Sequence, residues 1–148
     1  MKYWLLKSEE SCYSIDDLKK DKKTSWTEVR NFQARNFIRD QMKVGDGVLF
    51  YHSNGKPNAV VGIGKIASRP YPDITAFDRK SEYFDPKSNK EKPTWYAIDV
   101  SFVKKLTNPV SLTQIKRDSS LKNMVVAQVG SRLSIQPVLE KHFHSFTK

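Results

Sequence analysis

Trp26, Arg30, Asn31, Gln33, Arg35 and Asn36 fall within eleven consecutive residues, Trp26 to Asn36. An indole offers a flat apolar face for stacking, side-chain amides match the donor and acceptor edge of a base, and guanidiniums grip phosphate. Thr27, Glu28, Arg30 and Asn31 make a poor core strand, so the Trp26 ring is expected to be partly exposed. If Ala34 begins a helix, the free N–H groups of that first turn and the guanidiniums of Arg30 and Arg35 converge on one anion. Lys7 and Ser8, after a short apolar run, would complete that site. The chemistry of this set is recognition of a nucleotide rather than bond-making.

Other chemistry-bearing residues are sparser. His52, Ser53 and Asn54 end an apolar stretch with three hydrogen-bonding side chains. A hydrolase would use His52 as base with Ser53 or Ser8 as nucleophile, but neighbours in a strand point to opposite faces and no Gly-x-Ser-x-Gly elbow exists. His142 and His144 are two apart, a spacing that separates them on a helix, and no carboxylate or thiolate cluster accompanies them. Cys12 is the single cysteine, which rules out an intramolecular disulfide. Neither a P-loop nor a dinucleotide fingerprint occurs, since Gly62-x-Gly64 lacks the third glycine and the helix. No cofactor and no metal is expected.

The 148 residues fit one domain, 38% hydrophobic and 28% charged, with a formal charge of +10. Such a surface concentrates polyanions, nucleic acid above all. The apolar runs are too short to span a bilayer, so no membrane partner is expected; the reading is a soluble monomer, cytoplasmic, or nuclear in a eukaryote. Strands are predicted at Tyr3 to Leu6, Val48 to His52, Ala59 to Ile66, Trp95 to Val103 and around Leu133 and Ile135. Ser14 with Asp17 and Ser111 with Gln114 fit capping boxes. A helix is predicted from Ala34 to Met42, and another after Pro137. Trp4 and Trp95 belong in the core. The long polar stretch from Ser68 to Pro93 reads as a functional or mobile loop. Short strands, short helices and Gly/Pro turns suit a small antiparallel barrel decorated by helices, and an open α+β sandwich fits nearly as well.

Tyr3 to Glu9, Tyr13 to Leu18, Trp26 to Asn36, Phe50 to Asn54, Tyr83 to Ser88, Trp95-Tyr96 and Gly130 to Ser134 together resemble the EVE domain family. That family lies in the PUA-like group with the YTH readers of methylated adenine. The match runs in order over the whole chain. It implies an α+β fold, a PUA-like antiparallel β pseudo-barrel flanked by short helices, with a pocket for a flipped, modified base. By the same resemblance Ser8, Trp26, Asn31, Gln33, His52, Ser53, Asn54 and Ser134 would form the base pocket, and Lys7, Arg30, Arg35 and Arg132 would hold phosphate. Two positions depart from the family pattern: Glu28 replaces a usual glycine and Gly55 a frequent cysteine.

The resulting expectation is a non-catalytic module that binds DNA or RNA and takes a modified base into a Trp- and amide-lined pocket. Two alternatives stay open. One is an enzyme acting on RNA or nucleotides through His52 or Cys12; the other is a generic RNA-binding accessory domain.

Overall fold

A computed structural model describes residues 1–130 and 132–147; Ser131 of the matched Gly130–Ser134 stretch lies outside the described residues. The first strand, β1 (Tyr3–Glu9), has its first four residues all buried. They are buried because the sheet is covered on both faces. Trp4 and Leu6 point into one apolar cluster with Val48, Phe50 and Ile98, whereas Tyr3 and Leu5 point into another with Leu49, Tyr51 and Ile115. Strand side chains alternate with period two, so a strand with both faces covered reads as an unbroken apolar run.

β1 is followed by α1 (Ile15–Asp21), β2 (Lys23–Trp26) and α2 (Phe32–Asn36), which runs into a π-helical turn at Phe37–Gln41. Then come β3 (Gly47–Ser53), β4 (Ala59–Ile66), the two-residue β5 (Tyr71–Pro72), and a 3₁₀ turn at Ile74–Phe77. The chain closes with β6 (Tyr96–Ser111), α3 (Leu112–Arg117), a 3₁₀ turn at Val125–Ala127, β7 (Ile135–Val138) and α4 (Glu140–Ser145). Both capping boxes form: Ser14 and Asp17 close the start of α1, and Ser111 and Gln114 that of α3. Each satisfies two of the N–H groups a helix start leaves bare.

The strands form one sheet in the order β2-β6-β4-β3-β1-β7, with β5 on the outer end of β6. It differs from the expected barrel in two respects. β1 pairs with β3 in parallel, so the sheet is mixed. The ladder also runs from a β2 edge to a β7 edge with no pairing between them, leaving the α+β, PUA-like sheet open. β6 ends eight residues beyond the predicted limit at Val103, because Lys104, Lys105, Val110 and Ser111 still find partners in β4. Pro137 sits in β7 rather than before a helix; an edge strand tolerates a residue with no N–H. A Cβ at Gly62 would run into Ile15, and one at Gly64 would lie 2.6 Å from the Ser101 carbonyl. These glycines admit neighbouring chain rather than a ligand, beside irregularities in the β4–β6 register.

Candidate nucleic-acid interface

β1 delivers Lys7 and Ser8 to the surface at its C-terminal end, beside Tyr51 and His52 of β3. Two cavities open there. The smaller, about 320 Å³, is lined by Lys7, Ser8, Cys12, Tyr13 and the run from Thr24 to Glu28. That volume lies at the low end of small-molecule sites, ~300–1,000 Å³. Trp26 is half-buried: its ring meets Phe50 edge-on at 5.6 Å and also borders this cavity. The Ser8 hydroxyl donates to the Tyr13 carbonyl at 2.7 Å, and the Tyr13 hydroxyl donates to Asp21 at 2.8 Å, which ties the turn carrying Cys12 to α1.

The loop behind Trp26 hangs on one carboxylate. Asp73 is fully buried and accepts from the Glu28 N–H at 2.7 Å, from Arg30 at 3.0 Å, and from the N–H and hydroxyl of Thr75 at 2.9 and 2.6 Å. Burial alone would raise its pKa; the Thr75 hydroxyl, the Glu28 N–H and Arg30 outweigh that and hold it below the ordinary value. Arg30 also donates to Thr75, to its neighbour's carbonyl and twice to the Tyr83 carbonyl, with its guanidinium 5.3 Å from the Trp95 ring centre. Every nitrogen of that guanidinium is engaged within the protein. Arg30 therefore staples the 73–83 loop to the Trp26 loop and is not presented to phosphate.

The larger cavity, about 690 Å³, shares Lys7 with the first. Ser53, Asn54 and Asn58 border it from the β3–β4 turn, Leu112 and Lys116 from α3, and Val126, Val129, Arg132 and Ser134 from the C-terminal third. The Lys7 ammonium stands 5.8 Å from the Tyr51 ring centre, and burial pushes its pKa below the ordinary value. A bound anion would offset that desolvation, since an opposite charge favours the protonated form.

Residues 2–148 match the family model described as the EVE domain. The chain belongs to the EVE domain family. This EVE domain is 42% identical to chicken thymocyte nuclear protein 1 over 95% of its own length, and spans 65% of that relative. It is 39% identical to the human protein of the same name, of which it spans 70%. A solved Pseudomonas syringae protein superposes with a TM-score of 0.92 at 43% identity, covering 98% of this chain and 97% of that one. Human THYN1, solved in complex with 5-methylcytosine containing DNA, superposes at 0.87 with 38% identity, covering 98% and 95%. A YTH domain solved with N6-methyladenosine RNA, at 11% identity and a TM-score of 0.55, shares the fold alone.

Within this EVE domain the residues expected in a single pocket are distributed over several places. Ser8 and Trp26 border the smaller cavity and Lys7 both cavities, whereas Ser53, Asn54, Arg132 and Ser134 border the larger. Asn31 is the N-cap of α2: its side-chain oxygen accepts from the Ala34 N–H at 3.0 Å and so closes the start of that helix, outside the lining of the Trp26 cavity. Gln33 is exposed on α2, outside the lining of the Trp26 cavity. Arg35 stacks 5.1 Å from the Phe32 ring centre and donates to the Thr94 carbonyl at 2.6 Å, holding the loop before β6.

His52 is buried on a third face, where a cavity of about 480 Å³ also takes in Glu10, Asp16 and Lys105. Its Nε2 accepts from the Ile15 N–H at 3.1 Å and its Nδ1 lies 3.2 Å from Glu10, the geometry of a neutral ring that donates from Nδ1. Cys12 borders the Trp26 cavity instead, with Glu9 3.8 Å from its sulfur. His52 and Cys12 therefore border different cavities. Among the described residues no group of three or more His, Cys, Asp or Glu could hold a metal ion, and no helix is long and apolar enough to cross a membrane.

Sequence reasoning missed Asp73, Thr75 and Tyr83, which build the Trp26 loop, and Lys116 and Val129 on the larger cavity. Asp73 carries a local turn signal with Thr75, but its partners Glu28 and Arg30 lie 45 and 43 residues away along the chain. Lys116, one of the basic residues in the last turn of a capped helix, was readable as a cation of α3 but not as one facing Lys7.

Proposed function

We propose that this domain binds nucleic acid as a monomer and takes one extruded, modified base into the cavity beside Trp26. The adjoining backbone lies along Lys7, Lys116 and Arg132. The observation that carries the reading is the small cavity itself: one indole, hydroxyls from Ser8 and Thr24, and a partly buried ammonium at a wall shared with a larger basic groove. The complex of human THYN1 with 5-methylcytosine containing DNA supports the same reading.

Energetics constrain what the cavity must do. Extrusion costs a few kcal/mol in lost stacking and pairing. A Trp face returns about 1–3 kcal/mol. A methyl group adds about 0.8 kcal/mol of burial, close to fourfold in affinity, so stronger selectivity requires a shaped contact to the modification.

Titration of a single-stranded oligonucleotide carrying one 5-methylcytosine, against the same strand with cytosine, tests the proposal. The unaltered protein should prefer the methylated strand, and Trp26→Ala should abolish the preference while retaining the salt-dependent component shared by both strands. A folded Trp26→Ala protein with its full preference would show that the ring only fills core space.

A further inference from the structure

The most exposed apolar side chain of this basic protein stands at the edge of the proposed site. Val129 is 101% exposed, more than Met1 at 87%, and it borders the larger cavity together with Lys116 and Arg132. A lone exposed valine needs no explanation by itself. What distinguishes this one is the rigidity of its support. Leu121, Met124 and Val126, just before it, are buried in the second apolar cluster. The Ala127 and Gln128 N–H groups donate to the Met124 and Val125 carbonyls at 3.0 Å each. The Gln128 side chain reaches back to the Lys122 and Met124 carbonyls at 3.0 and 3.3 Å. Gly130 follows at φ +76°, a left-handed conformation that sharpens the turn beyond Val129. An apolar tip thus projects from an anchored base on the cavity that Lys116 and Arg132 also line and that meets the Trp26 cavity at Lys7.

We infer that Val129 is a wedge that enters the base stack where the extruded nucleotide has left it, which makes duplex nucleic acid the ligand class of this site. This rests on the proposed function above. Apolar side chains inserted between base steps are a recurrent device for holding a duplex open. A rigid support is required, because a mobile tip would lose in ordering entropy what it gains by burial. Lys116 and Arg132 line the same cavity as the tip and supply the phosphate contacts that a wedge entering between two nucleotides requires. A single strand has no stack to refill, so the wedge acts on duplex alone.

Val129→Ser, a fully exposed change with little consequence for folding, separates these requirements. Affinity is measured for four ligands: single strand and duplex, each with one central 5-methylcytosine or with cytosine. A 2-aminopurine next to that position reports unstacking in the duplex. Val129→Ser should weaken binding of the methylated duplex about tenfold, the worth of one buried valine. It should also cut the 2-aminopurine signal and leave the methylated single strand bound as before. Val129→Leu should strengthen duplex binding. An equal loss on single strand and duplex, or none on duplex, overturns the wedge. If the unaltered protein shows no preference for the methylated single strand, the base-reading proposal itself fails, whatever Val129 does.

Discussion

Glu28 holds a backbone angle that glycine takes without strain. It sits at φ +71°, and its N–H on Asp73 fixes the turn. A side chain in that region costs about 1–2 kcal/mol, against about 0.5–1 kcal/mol of extra unfolded-chain freedom for glycine. Glu28→Gly is therefore expected to stabilise the protein by up to about 1 kcal/mol, read as a raised denaturant midpoint with an unchanged slope. Asp73→Ala is expected to act oppositely and more strongly, by about 3 kcal/mol or more, because it leaves the half-buried Arg30 charge and a backbone N–H without their acceptor. Its urea melt and its loss of methylated-strand preference should go together, since the same carboxylate shapes the loop after Trp26. Such effects were invisible in the sequence. Arg30, Asn31 and Arg35 have the right chemistry for phosphate and base, but whether a polar group faces a ligand depends on competing acceptors. Those acceptors (Tyr83, Thr75 and Thr94) belong to a loop whose position only the fold determines.

Between β3 and α1 lies a proton-sensitive joint. His52 accepts the first helical N–H of α1 and is held neutral: burial lowers its pKa below the ordinary 6.5, with Glu10 and Asp16 opposing and Lys105 assisting that shift. His142 is likewise lowered by burial, assisted by Lys141. For a histidine whose folded-state pKa lies below its unfolded one, the unfolded chain binds the proton first as pH falls. The stabilisation is complete above about 6.5 and is lost as pH drops through the folded value. Melting temperature should accordingly fall from neutral pH toward pH 5, and His52→Gln should flatten part of that dependence, the remainder belonging to His142. A melting curve independent of pH over this range would contradict the joint. At this scale much was legible beforehand. Both capping boxes, the β3 alternation and the β4 return follow from spacing alone, because each is enforced by local sterics or by alternation between two apolar clusters. The parallel pairing of β1 with β3 and the full length of β6 were not, since polar strand residues are indistinguishable from loop until a partner strand is present.

Over the whole molecule, the +10 charge sets the strength and the salt response of association. Log affinity for duplex should fall linearly with log salt at about 0.9 per neutralised phosphate. Lys116→Ala should reduce that slope by about one and weaken methylated and plain duplex alike. Arg30→Ala should instead lower stability, since its guanidinium is fully engaged inside the protein. An unchanged slope in Lys116→Ala would remove that residue from the backbone track.

The pairing of Tyr3 with Val138 gives β1 a polarity with practical use. At the start of this strand Tyr3 packs against Phe143 and His144 of α4, at 4.5 and 5.6 Å between ring centres, while Lys7 and Ser8 emerge at its other end. Seven strand residues separate the two poles by roughly 20 Å. A fluorophore, a surface tether or a second domain fused at either terminus therefore leaves the Lys7 pole open. Tyr3 and His144 lie near enough for a short linker to join the segments that carry them and for the chain to be opened elsewhere, for instance in the exposed stretch around Lys90. A circular permutant of that kind should fold and keep the parent's ligand preference, turning a pairing of four residues at the sheet edge into a handle for building sensors.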